Sequence, residues 1–165
     1  MAPAGDGEPG RTAGGELPPD VASALIAELL ALSPAGQLAA RSAAVIGDPF
    51  CVNSVGQVSG LGDGRAAAAI GELAAADLIR PIEPTRLFTF RHAVVRCAVY
   101  ESANPGWRVG AHGQAAAALR HCGAPLTEQA YHIKRAAEFG DLGAVGLLAE
   151  AAGRTGGPRR SRSAR

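Results

Sequence analysis

The chain has 165 residues, a length that suits one domain with a real core or two small subdomains sharing one. Its longest apolar runs fall far short of the roughly 20 residues a bilayer span needs, and the polar start MAPAGDGEPG lacks the charged end and apolar centre of a secretory signal. No membrane association is expected, and a cytoplasmic location follows by default. The formal charge of +1 is unevenly spread: residues 1–153 carry 11 basic against 15 acidic side chains, while Arg154, Arg159, Arg160, Arg162 and Arg165 crowd the end. A body with a net charge of −4 lacks the basic footprint of duplex binding, so DNA is expected to be met only indirectly or through the tail.

In chain order, residues 1–16 hold Gly, Pro and Ala with almost no bulky apolar side chain and are expected to be disordered. Leu17-Pro18-Pro19 suits the first turn of a helix, and Val21, Leu25, Leu29 and Leu32 recur on one helical stripe. Ser33-Pro34 reads as N-cap and first residue of a second helix carrying Leu38, Val45 and Ile46, which stops at Gly47 before the Asp48-Pro49 break. A short third helix is expected around Val52, Val55 and Val58, ending in GLGDG, and a fourth from Asp63 with Ile70 and Leu73 facing inward.

The period then changes. Leu78, Ile79 and Ile82, then Leu87, Phe88 and Phe90, flank Glu83-Pro84-Thr85 and read as a β-hairpin with proline confined to its turn. Three to four helices and a hairpin in this order predict a winged helix over residues 17–91. A helix over 92–102 follows, with Val94, Val95, Ala98 and Val99 inside, and then Asn104-Pro105-Gly106 as a punctuating turn. Helices over 107–121, 127–139 and 142–152, the last capped by Asp141, complete a helical arm over 92–153 that resembles the start of a TPR-like array. Residues 154–165 read as a flexible basic tail.

Little reactive chemistry is present. The only lysine, Lys134, lies in a predicted helix, so no phosphate-binding loop exists, and Gly60, Gly62 and Gly64 lack the βαβ context of a dinucleotide site. Nothing resembles a nucleophile elbow, and the chain is not expected to be an enzyme. Cys51, Cys97 and Cys122 have no CxxC spacing and are expected to be reduced and mostly buried. His112, His121, Cys122 and His132 lie close in sequence, but His112 and His121 are nine apart and fall on opposite helix faces, so no metal is expected. His92 differs from these: beside Arg91, where a strand gives way to a helix, it sits near free backbone N–H groups and a positive helix end. On local chemistry it reads as either a helix cap or part of an anion site.

LPPDVASALIAELLALSP, RSAAVIGDPF, GELAAADLIRPI and above all FTFRHAVVRCAVYESANPGWRVGAHGQAAAALR with YHIKRAAEFGDLGAV make the stretch 17–150 similar to a segment of the large ATP-binding LuxR-type transcriptional regulators of actinobacteria, which are STAND-class ATPases. The resemblance implies a winged helix and the start of a helical arm that follow an AAA-type ATPase core. In related STAND proteins a Met-His-Asp step at this junction supplies a histidine to the β-phosphate of ADP. Here the step is Arg91-His92-Ala93, so only His92 carries that implication. The sequence holds neither the ATPase core nor the LuxR-type DNA-binding domain, so a fragment or truncated frame is expected. ATP or ADP is then implied only for a parent core, which is also the implied partner, and a severed fragment is expected to self-associate.

Two other readings belong to different classes. Direct DNA binding would use the helix over 64–77, whose one cation is Arg65. A free-standing interaction module would use the paired helices over 107–152 to present a groove to a partner.

Overall fold

The computed structural model describes residues 19–121 and 124–137, and the expected disordered ends, the helix over 142–152 and its Asp141 cap lie outside them. Helix α1 spans Pro19–Leu30, with Asp20 complementing the positive end of its first turn. Leu25 and Leu29, and Leu32 just beyond, are buried at the expected spacing. Val21 departs from that stripe and is 43% exposed. It belongs to the first turn, which overhangs the start of a later helix and lines an open cleft there.

Helix α2, Pro34–Ile46, starts at Ser33, whose Oγ accepts from the Gly36 N–H at 3.0 Å. A carboxylate from another helix completes this start. Glu72 accepts from the Ser33 hydroxyl and the Ser33 N–H, both at 2.6 Å, and these bonds, the hydroxyl's first, hold its carboxyl below the ordinary value. Gly36, Ala39, Ala40, Ala43 and Ala44 are buried along α2, which packs against α1 and all four helices introduced next. Small side chains permit that crowding, since neighbours on several sides approach a thin cylinder. The helix stops at Gly47, where φ is 100° and a side chain would be strained.

Helix α3, Val52–Ser59, is opened by reciprocal bonds between Cys51 and Ser54 and closed by left-handed Gly60. Helix α4, Asp63–Ala75, buries Ala66, Ala69, Ile70 and Leu73. Strands β1, Ile79–Ile82, and β2, Leu87–Phe90, pair antiparallel, with Ile79 opposite Phe90 and Pro81 opposite Phe88. Proline is thus not confined to the turn: Pro81 stands inside β1. The register explains why this is tolerated. The Arg91 N–H bonds the Leu78 carbonyl, which makes 78–91 a hydrogen-bonded pair and 81–88 a non-bonded one, so the missing donor of Pro81 costs no ladder bond.

The other edge of β2 is covered as well. Phe88 exchanges both backbone bonds with Phe50, at 3.0 and 2.8 Å, and the Phe90 N–H donates to Asp48 Oδ1 at 2.9 Å. Asp48→Ala should therefore lower stability by about 1–3 kcal/mol by orphaning a part-buried donor. Urea unfolding checks this, and an unchanged midpoint would contradict it.

Helix α5, Ala93–Glu101, places Val95 and Val99 in the same core as α1, α2 and the strands. Val94, expected inside, is 43% exposed and lines the open cleft beside Val21 and Leu25 of α1. Asn104-Pro105-Gly106 separates α5 from the next helix as expected, and it also starts that helix two residues earlier than expected. Helix α6 runs Pro105–His121, with Asn104 Oδ1 accepting from the Gly106 and Trp107 N–H groups at 2.9 and 3.3 Å. Helix α7, Leu126–Ala136, ends short of the expected 139, with Ala137 already extended. Ala111 and Ala115 of α6 pack on Val45 and Val58, which ties the last helices to the first. Cys97 is exposed and Cys51 half-buried, against the expectation of mostly buried thiols, because Cys97 falls on the outer side of α5. The described part is mainly helical with one small hairpin, and none of its helices is long and apolar enough to cross a membrane.

Candidate functional site

Strand β2 runs into α5 through Arg91 and His92. His92 is the N-cap of α5 in extended backbone, yet its side chain makes no cap bond and is exposed. The first backbone bonds of the helix come from the Val95 and Arg96 N–H groups to the His92 carbonyl. Among the described residues the Ala93 and Val94 N–H groups have no acceptor. Beside them lies a cleft of about 400 Å³ lined by Val21, Leu25, Arg91, His92, Val94 and Val95. The imidazole and two free amides at a positive helix end are the means for meeting an anion. Arg91 is not equally free: it donates to Glu28 at 2.9 Å and to the Asp77 carbonyl at 3.3 Å, fastening the junction to α1 and to the bend before β1.

Arg65 lies on the exposed side of α4, where its neighbours are Asp63, Gly64, Ala67, Ala68 and Gly71. That face offers one cation, one acid and no amide side chain, which is a poor base-reading set.

The histidines weighed as metal ligands separate. His121 is exposed at the end of α6, Cys122 lies outside the described residues, and His112 and His132 meet in the interior. Their Nδ1 atoms are 2.9 Å apart, so each is spent on the other, and no group of three metal-ligating side chains occurs among the described residues. The pair belongs to a longer relay. Arg135 donates to the Tyr100 hydroxyl at 3.1 Å, and Tyr100 meets His112 Nε2 at 3.0 Å.

Between the two Nδ1 atoms one imidazole donates and the other accepts, and Arg135 can only donate to Tyr100. Both imidazoles are neutral in this arrangement. Burial, then the charges of His132, Arg135 and Arg108, lowers His112 to about 4, and burial is also the main cause that lowers His132. Sequence reasoning missed Tyr100 and Arg135 entirely. The one available signal was a histidine set within the small-residue stripe of Ala111, Ala115 and Ala116.

No protein-family model, curated protein or solved structure matches the chain.

Proposed function

We propose that the chain is a non-catalytic regulatory module of an ATP-dependent LuxR-type regulator of the STAND class, acting in the cytoplasm. In this reading the helices and hairpin up to residue 91 are its winged helix, and α5 to α7 begin its TPR-like arm. His92 meets the terminal phosphate of ADP held by an ATPase core of the parent regulator or a partner protein. The observation that carries the reading is the exposed, uncapped imidazole of His92 beside two free amides, on a junction anchored by Arg91. Such a corner gains contacts only when a phosphate is present and so favours the state in which core and winged helix are closed together.

The energetic demand is modest. One charge-assisted hydrogen bond worth about 1.5 kcal/mol changes retention roughly tenfold. In a regulator carrying this segment behind its ATPase core, His92→Ala should accordingly release ADP about tenfold faster, measured by displacement of a fluorescent ADP analogue. An unchanged release rate with a folded variant would reject the role.

A further inference from the structure

A second concavity lies where Tyr100 of α5 meets α6 and α7. It has a volume of about 480 Å³ and is lined by Tyr100, Pro105, Arg108, Val109, His112, Tyr131, Lys134 and Arg135. We infer that this cleft binds a small organic dianion, a phosphomonoester with a flat apolar body.

Charge is the first ground. Three cations converge on the cleft, and only Arg108 has a carboxylate partner among the described residues, Glu101 at 3.0 Å. Arg135 spends one N–H on the neutral Tyr100 hydroxyl, and neither Lys134 nor Arg135 forms an ion pair among the described residues. A phosphomonoester near pH 7 brings close to two negative charges and three acceptor oxygens, which suits a guanidinium beside an ammonium.

The walls supply the second ground. Arg108 sits 4.8 Å over the ring of Tyr100, and Arg135 lies 5.2 Å over that of Tyr131. With Pro105 and Val109 these rings offer apolar surface to the body of a ligand whose charged end lies against the cations. The cleft is also held in shape before any ligand arrives. Arg135 and Tyr100 are the first members of the relay through His112 to His132, so the cationic edge is tied to the interior on three helices. Side chains already positioned lose less freedom on binding. The start of α6 contributes little, because Asn104 already occupies the Gly106 and Trp107 N–H groups.

Isothermal titration of the full chain with phenyl phosphate tests the assignment. Saturable binding with a Kd below about 1 mM is expected, at least tenfold tighter than benzoate, which has the ring but one charge, or inorganic phosphate, which has the charge but no ring. Lys134→Glu should weaken phenyl phosphate at least tenfold and Lys134→Met less, in the same direction. Both changes are on an exposed side chain, and an unaltered thermal midpoint verifies the fold. His92→Ala should leave binding intact. The assignment is overturned if phenyl phosphate binds no better than inorganic phosphate or benzoate, or if Lys134→Glu binds as the unmodified chain does. It is equally overturned if binding disappears with His92→Ala, or with glutamine in place of the five arginines after residue 153.

Discussion

Phe50→Ala should cost about 3–5 kcal/mol, a large share of the roughly 5–15 kcal/mol that holds a domain of this size together. Phe50 is 2% exposed, and its ring stacks on Phe88 at a centroid distance of 6.3 Å and tilts against Phe90 at 5.7 Å. Its backbone also pairs with Phe88 in both directions. Truncation leaves those backbone bonds in place and removes the side chain that fills the space between the hairpin and the helices, so the loss is one of packing. Phe50→Leu should cost much less by refilling most of that space. Urea unfolding followed by circular dichroism measures both, and a loss under about 1 kcal/mol for Phe50→Ala would mean that the hairpin is not seated on this ring.

The second large effect is acid lability. His112 is buried and held at about 4, against 6.5 for the exposed side chain. Above about pH 6.5 it is neutral whether the chain is folded or not, and its contribution is complete. Between 6.5 and 4 the unfolded chain takes up a proton that the folded chain refuses, so stability falls as the pH falls. The loss approaches about 3 kcal/mol at the lower end and stops growing once the folded protein protonates too. His132, lowered for the same reason, adds in the same direction. The charged neighbours disfavour protonation, Arg96 from α5, Arg108 from α6 and Arg135 from α7, while Tyr100 of α5 bonds His112 and the backbone of Ile46 in α2 acts the other way. Replacing both partners, as in His112→Leu with His132→Leu, should flatten the decline in urea midpoint from pH 7 to pH 4. A decline of the same steepness in the double variant would place the acid sensitivity elsewhere.

Local chemistry made much of the fold legible. Ser33-Pro34, Gly47 and Asp63 mark helix ends where expected, because caps and turns are settled within a few residues. The hairpin was readable from its change of period, and His92 from its position between strand and helix. Asn104-Pro105-Gly106 shows where that kind of reading is ambiguous. The same three residues that interrupt one helix also initiate another, and only the Asn104 bonds to the following N–H groups distinguish the cases. Val21 and Val94 show a different failure: periodicity assigns a face, but the length of the neighbour lying on it determines how many residues of that face are covered. The alanines of α2 are what let several helices crowd around one.

Which segments coil, which extend, where each stops and which junction carries a histidine were all written in the order of residues, because each depends on backbone preference, caps and spacing over one or two turns. Which helix faces meet was settled in three dimensions. His112 and His132 are 20 positions apart on different helices, and Tyr100, which bonds His112, comes from a third. The cationic cleft exists for the same reason. Arg108, Lys134 and Arg135 gather around two tyrosines only because α6 and α7 pack together and Tyr100 of α5 reaches them, and burial then turns ordinary polar side chains into a connected, charge-excluding network.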